Sequence, residues 1–113
     1  MKMDELAGLH KALSVPVRLT ILELVGVRSL CVNAITRRLE ISQPAVSQHL
    51  AVLKRVGLVS STKHGYMVHY TLNRKRLQEF RQAMDRFAEE RVVEEQTSTP
   101  GNAEKTPVQV DPK

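Results

Sequence analysis

The stretch from Ile41 to Val59 constrains the fold more than any other, because it places a helix start and a helix stop around an apolar stripe. Ser42 can accept a hydrogen bond from a first-turn amide, and Pro44 falls where amides have no intrahelical partner. The pattern predicts a helix that begins at about Gln43. Gly57 is typical of the left-handed residue that closes a helix, so the helix is expected to end just before it.

One side of this predicted helix is apolar, and the other is polar with little charge. The apolar side consists of Val46, Leu50 and Leu53, at spacings of four and three. A solvated helix side is usually rich in Glu and Lys, whereas amide and hydroxyl groups suit the base edges of a DNA major groove. We interpret the segment as a DNA-recognition helix, with an ordinary amphipathic surface helix as the alternative. The candidates for base contacts are Gln43, Ser47, Gln48 and His49.

The net charge of +5 is spread unevenly along the chain. From Ser14 to Arg76, ten Lys or Arg residues stand against two Glu residues, a net charge of +8. A local positive field favours a polyanionic partner. Arg18 is either a phosphate contact or a solvated surface side chain. The candidates for contacts to the DNA backbone are Arg37, Arg38, Ser42, Lys54, Arg55, Lys63 and His64.

Three helices are predicted before the recognition helix. Asp4 is expected to cap the first. The second is expected to start at Ser14-Val15-Pro16 and to end at Gly26. The third is expected to run from Leu30 to Leu39, and a short turn then joins it to the recognition helix. Two helices joined in this way match the helix-turn-helix pattern.

Two runs rich in β-branched and aromatic residues follow the recognition helix. They extend from Val59 to Lys63 and from Met67 to Leu72, and they predict a hairpin connected by His64-Gly65-Tyr66. Alternate residues of the second run, from Val68 to Leu72, are expected to share one face. A hairpin directly after a recognition helix is the wing of a winged helix. The predicted fold class is therefore mainly α with a small β-hairpin wing, a winged helix-turn-helix.

Both terminal helices carry apolar stripes, which suggests that they pair across a two-fold axis. The stripe of the last helix is narrow, as in a coiled-coil seam, and the alternative is that it folds back on its own core. We expect a homodimer formed through these two helices. The candidates for dimerisation are Leu6, Leu9, Leu13, Leu77, Phe80, Met84 and Phe87.

A chain of 113 residues is long enough for one domain and too short for two comfortable ones. We expect a DNA-binding and dimerisation domain over residues 1–95. A disordered tail is expected over residues 96–113, which are rich in Pro and small polar residues. A single cysteine cannot form an internal disulfide, and neither a signal peptide nor a membrane-spanning run is recognisable. A cytoplasmic location is therefore expected.

Taken together, these segments resemble the ArsR/SmtB family of winged-helix transcriptional repressors. The resemblance covers roughly residues 5 to 90, and it is carried by Ala12–Leu19, Ser42–Leu50, Leu53, Gly57–Val59 and Gly65–Leu72. It implies a homodimer on a partly palindromic operator, with one recognition helix in each of two successive major grooves. It also implies that Gln43, Ser47 and Gln48 lie where the family reads bases.

Many members of that family sense metals, but this sequence completes neither of the family's familiar metal sites. The Cys-Val-Cys motif appears here as Cys31-Val32-Asn33, so one thiolate remains where soft ions need several. The second site takes Asp and His from the last helix, and the segment from Arg74 to Glu95 contains no histidine. No metal and no cofactor are expected. Cys31 is interpreted as a packing thiol, with a redox role as the alternative, and His10 as a packing residue.

The sequence therefore predicts a sequence-specific DNA-binding regulator, most simply a homodimeric repressor that an unidentified inducer releases from its operator. Two alternatives stay open: a winged-helix protein-interaction module without operator preference, and a redox-responsive repressor that acts through Cys31. An enzyme is not expected, because the sequence offers no nucleophile with a base partner, no paired carboxylates in a plausible pocket and no Gly-rich phosphate loop.

Overall fold

The computed structural model describes residues 1–89, and its elements follow the predicted order with one addition, the short strand β1. The elements are α1 (Met3–Ala12), α2 (Pro16–Val27), β1 (Leu30–Cys31), α3 (Val32–Leu39), α4 (Gln43–Arg55), β2 (Val59–His64), β3 (Met67–Leu72) and α5 (Arg74–Ala88). The three strands form one antiparallel sheet in the order β1-β3-β2. No helix among residues 1–89 is long and apolar enough to cross a bilayer. The tail predicted at residues 96–113 lies outside the described residues.

The core is aliphatic and lies where the first four helices meet the start of the hairpin. Leu9 of α1, Ile21 of α2 and Ile35 of α3 are 0% exposed, and so are Leu53 of α4 and Leu58 after it. No polar or charged side chain is buried among residues 1–89. Each fully buried aliphatic side chain contributes about 1.5–3 kcal/mol by leaving water. The packing of α4 against α2 and α3 is the helix-turn-helix, and the predicted fold class is confirmed.

The second helix starts at Pro16, as predicted, but the caps of the first two helices differ from the prediction. The expected cap, Asp4, lies inside the first turn of α1, and the residue before the helix is Lys2. The Lys2 amide donates to the Glu5 carboxylate at 2.9 Å, so Glu5 caps the first turn in place of Asp4. Ser14 does not cap α2, because its hydroxyl donates to the Lys11 carbonyl at 2.7 Å and closes α1 instead.

The end of α2 and the start of α3 were also predicted wrongly. The helix α2 continues through Gly26 to Val27. A methyl group at Gly26 would lie 3.3 Å from the Leu72 side chain of β3, so this glycine permits close packing rather than ending a helix. The residues Leu30–Cys31 are a strand and not the first turn of α3. Their backbone pairs with Tyr70 and His69 at the edge of the hairpin, a long-range contact that local periodicity cannot reveal.

The hairpin has the predicted strands, and β2 extends one residue further than expected, to His64. Val59 pairs with Leu72 at its base and His64 with Met67 at its tip. The loop is therefore Gly65-Tyr66, and Gly65 has a φ of +66°, which a glycine adopts at little cost. The base of the hairpin is buried at Val59, and its tip is exposed away from the core.

The last helix, α5, has no buried residue. Asn73 caps its start, because the side-chain oxygen of Asn73 accepts a hydrogen bond from the Arg76 amide at 3.2 Å. Leu77 and Phe80 pack on the core, whereas Phe87 is 64% exposed. The helix therefore covers its own protomer at one end and leaves apolar surface uncovered at the other.

The first helix also behaves differently from the prediction. Leu9 is 0% exposed and Leu6 is 5% exposed within the protomer, so the prediction that Leu9 forms a dimer contact is wrong. The stripe of α1 mostly packs on the protomer's own core. His10 packs edge-on against Phe80 of α5, with ring centroids 5.0 Å apart, which agrees with a packing role.

The turn between α4 and β2 contains Gly57, whose φ of +84° lies in the left-handed region. We expect Gly57→Ala to lower the free energy of unfolding by roughly 1–2 kcal/mol, the cost of a left-handed conformation for a residue with a Cβ atom. Steric conflict should add little, because the added methyl would lie 3.4 Å from the Arg76 side chain. Denaturant unfolding of both proteins measures the difference.

Gly8→Ala is the matched control. Gly8 lies inside α1, and a methyl group there would meet no atom within 4 Å. This change should raise stability by roughly 0.4–1 kcal/mol, because alanine restricts the unfolded chain more than glycine does. If Gly57→Ala raises stability as well, the assigned turn geometry is wrong.

Candidate nucleic-acid interface

The recognition helix α4 is oriented by its start and by its buried side. The Ser42 hydroxyl accepts a hydrogen bond from the Ala45 amide at 3.2 Å, and Pro44 stands in the first turn, as predicted. Val46, Leu50 and Leu53 are at most 1% exposed. A rotation of α4 about its axis would bring polar groups into the aliphatic core, so the burial determines which side faces solvent.

The outward side presents three of the four predicted base-reading residues. Gln43, Ser47 and Gln48 are exposed. Within residues 1–89, none of these three side chains has a hydrogen-bond or ion-pair partner. Their amide and hydroxyl groups can therefore donate to and accept from base edges without first breaking a contact in the protein.

The fourth predicted reader, His49, is placed differently. It lies on the flank of α4 and is half-buried. Its Nδ1 atom accepts a hydrogen bond from Nε of Arg18 at 3.2 Å. The same guanidinium donates through NH1 to the Ala12 carbonyl at 3.1 Å. Arg18 therefore joins three helices, with two of its five donors engaged inside the protein.

The predicted backbone contacts on the helices lie at helix ends. Arg37 is exposed in the last turn of α3, and nothing among residues 1–89 bonds to its guanidinium. Arg38 is exposed too, but its NH1 atom donates to the Ala34 carbonyl at 3.1 Å, which leaves other donors free. Lys54 and Arg55 are exposed in the last turn of α4, where cations also stabilise the helix dipole.

The wing carries the last two predicted backbone contacts. Lys63 and His64 are exposed near its tip, and the Tyr66 side chain is fully exposed in the loop. The His64 ring leans against the ring of His69 on the neighbouring strand, with centroids 4.8 Å apart. The tip therefore combines the ammonium group of Lys63, which has no partner among residues 1–89, with two adjacent imidazoles and an exposed phenol.

Arg76 belongs to the positively charged segment, but its side chain contacts other parts of the protein. Its Nε donates to the Val56 carbonyl at the end of α4 at 3.0 Å. Its other nitrogens lie 3.1 Å from Glu79 and 3.8 Å from Glu5. The hydrogen bond from the Lys2 amide and, more weakly, the Arg76 charge lower the pKa of Glu5. Arg76 thus ties the end of the recognition helix to α1 and α5.

The net charge of +8 therefore overstates the number of cationic side chains that are free to contact a polyanion directly. Arg18 and Arg76 are engaged as described, and NH2 of Arg74 donates to the Gly26 carbonyl at 2.6 Å. Sequence reasoning missed these roles, because the three partners in α4 and α2 are distant along the chain. A weak signal was available for Arg18, since it lies in the first turn of a core helix and His49 sits at the margin of an apolar stripe.

Cys31 borders this surface, because it lines a shallow cavity together with Gln43 of α4 and Tyr66 of the wing loop. Cys31 is a free, half-buried thiol in β1, opposite His69 in the sheet. Among residues 1–89, no three His, Cys, Asp or Glu side chains come close enough together to hold a metal ion. The described part of α5, Arg74–Ala88, contains no histidine.

Removing the cap of α4 tests its geometry. We expect Ser42→Ala to lower the free energy of unfolding by about 0.5–2 kcal/mol, because the Ala45 amide loses its acceptor. Ser42→Asp restores an acceptor and should return stability to near the original value. Urea unfolding of the three proteins gives the comparison, and equal losses for Ala and Asp would contradict the cap.

The sequence matches a family model described as "Bacterial regulatory protein, arsR family" over residues 15–61. The transcriptional activator HlyU of Vibrio cholerae is 46% identical over 65 residues, which are 58% of this chain and 60% of that protein. The arsenical resistance operon repressor of Staphylococcus xylosus is 35% identical over 85 residues, which are 75% of this chain and 82% of that protein. All of these are described as regulators, and none as an enzyme.

Solved structures give the same picture. An ArsR-like transcriptional regulator from Rhodococcus sp. RHA1 superposes with a TM-score of 0.71 at 30% identity, over 75% of this chain and 80% of that one. A second similar structure is the homodimeric winged helix-turn-helix DNA-binding domain of a possible ArsR-family regulator from Mycobacterium bovis. Its TM-score is 0.64 at 26% identity, over 76% of this chain and 81% of that one.

Proposed function

We propose that this chain, which belongs to the ArsR family of winged helix-turn-helix transcriptional regulators, is a homodimeric repressor that binds a partly palindromic operator in the cytoplasm. Like its relatives, it is a regulator and not an enzyme. In the proposed complex, α4 of each protomer enters a major groove, Gln43, Ser47 and Gln48 contact base edges, and the wing follows the backbone.

One observation carries the proposal. Gln43, Ser47 and Gln48 are exposed and without partners among residues 1–89, on a helix whose rotation is set by a fully buried opposite side. A protein-interaction surface would favour aromatic or aliphatic anchors on this side. Amide and hydroxyl groups at a constant orientation suit hydrogen bonding to bases instead.

The homodimer is supported by an apolar groove between α1 and α5. Met3, Leu6, His10, Met84 and Phe87 line it. Met3 is 63% exposed and Phe87 is 64% exposed, which leaves large apolar side chains in water at the rim. A second copy placed across a two-fold axis would cover them with the same residues. The relative from Mycobacterium bovis is itself described as homodimeric.

We propose that the protein represses transcription. We also propose that its inducer is not a metal bound at either of the family's familiar sites. The relatives include an activator as well as repressors, so they do not decide between activation and repression. Cys31 is the only thiol and α5 from Arg74 to Ala88 has no histidine, so neither ligand set is present in this part of the chain.

A gel-shift titration against the DNA upstream of its own gene tests the function. We expect a complex that prefers one sequence and that weakens steeply as salt rises, because bound cations release counterions from DNA. Gln48→Ala should reduce the ratio of operator to random-DNA affinity about tenfold, through loss of a base contact.

Arg37→Ala is the matched comparison, since this guanidinium is exposed without a partner among residues 1–89. It should weaken both affinities similarly and reduce the slope of log affinity against log salt by about 1. A wild-type protein that binds all sequences equally would refute operator recognition. Identical effects of the two variants would refute the division between reading and positioning.

The dimer interface can be tested by charge. We expect Phe87→Glu to shift sedimentation from dimer to monomer, because a carboxylate would have to be buried against an apolar partner. Val27→Glu is the control, since Val27 is 79% exposed at the end of α2, away from the groove. A dimer that survives Phe87→Glu, or is lost equally in both variants, would place the interface elsewhere.

A further inference from the structure

The contact between Arg18 and His49 connects the recognition helix to the rest of the protomer. Nε of Arg18 lies 3.2 Å from Nδ1 of His49, and NH1 lies 3.1 Å from the Ala12 carbonyl. The two side chains belong to α2 and α4, and Ala12 is the last residue of α1. A single planar guanidinium thus spans three helices with two donors pointing in different directions.

The chemistry of the contact dictates the state of the imidazole. Arginine is always protonated and has only donors, so Nδ1 of His49 must be the acceptor. A nitrogen that accepts carries no proton, and a neutral imidazole then carries its proton on Nε2. Protonated His49 could not accept from Arg18 and would place two cations in contact. The geometry therefore selects one tautomer of one charge state.

The remaining nitrogen has no role inside the described protein. Among residues 1–89, Nε2 of His49 has no hydrogen-bond partner, and the side chain is only half-buried. The residue follows Gln48, which is exposed on the same helix. A donor N–H in this position can reach an acceptor outside the protein.

We propose that Arg18 is a positioning residue for DNA reading. By holding Nδ1 of His49 as an acceptor, it presents Nε2–H as a donor to a base acceptor in the major groove, such as purine N7, guanine O6 or thymine O4. The inference rests on the proposed function, since it assumes that α4 enters DNA. It gives His49 two duties, one nitrogen for anchoring α4 and one for choosing a base.

The hydrogen bond can be measured without DNA. In protein labelled with ¹⁵N in arginine and histidine and recorded at alkaline pH, we expect a scalar coupling between Nε of Arg18 and Nδ1 of His49. We also expect the His49 proton on Nε2 alone. An absent coupling or a proton on Nδ1 overturns the inference, whatever the protein does with DNA.

Two variants separate the duties of His49. His49→Asn keeps an acceptor oxygen near the place of Nδ1 but has nothing at the place of Nε2. It should keep the thermal midpoint while the ratio of operator to random-DNA affinity falls about tenfold. Arg18→Lys keeps the charge but not the planar fork, so it should lower this ratio by a similar factor, about tenfold, with an unchanged salt slope.

The control is Arg37→Lys, the same replacement at an arginine without a partner among residues 1–89, which should bind within about twofold of the wild type. If Arg18 instead contacts a phosphate, Arg18→Lys will retain affinity and Arg18→Ala will lower the salt slope by about 1. That result, or an unchanged ratio in His49→Asn, overturns the inference. Loss of sequence preference in the wild type would refute the proposed function and leave the measured hydrogen bond intact.

Discussion

The burial of one side of α4 is the constraint on which the rest of the structure depends. Val46, Leu50 and Leu53 are enclosed by aliphatic side chains such as Ile21 and Ile35. Turning the helix by one residue, about 100°, would place a glutamine or serine amid those aliphatic groups. The free-energy difference of several kilocalories per mole holds the polar side outward, so a core of ordinary composition sets the orientation of a reading surface.

Two arginines also hold α4 in place, although the sequence alone would assign them to DNA contacts. Arg18 anchors the flank of α4 through His49, and Arg76 anchors its end through the Val56 carbonyl. Both also contact α1, at Ala12 and at Glu5 respectively. The guanidinium group suits this role, because its fixed donors satisfy carbonyls in several directions at once. Counting cations along a chain therefore gives an upper limit on the number of cationic side chains that are free to contact a partner.

The surface between α1 and α5 extends this connection to the dimer. The two helices meet at His10, Phe80 and Met84, where the Nε2 atom of His10 lies 3.1 Å from the Met84 sulfur. In a homodimer formed there, each anchoring arginine would lie between the partner-facing helices and the recognition helix. Within each protomer these contacts connect α1 and α5 to α4.

Much of the fold could be predicted from local patterns, because helix caps, apolar spacings and turn residues act within a few positions of one another. Ser42, the stripe of α4, Gly57 and the hairpin were all found in this way. The failures involve long-range contacts. Leu30–Cys31 become a strand only because the hairpin returns beside them, and Gly26 lies inside α2, where its missing side chain leaves room for Leu72.

The candidate site divides in the same manner. The sequence by itself determined that Gln43, Ser47 and Gln48 share one polar side of a capped helix, since helical periodicity is a local property. Only the tertiary structure decided that Arg18 donates to His49, that Arg76 donates to the carbonyl at the end of α4, and that Leu9 belongs to the protomer's own core. Those facts depend on the relative placement of helices, which is set by the packing of the whole core and not by any single segment of the chain.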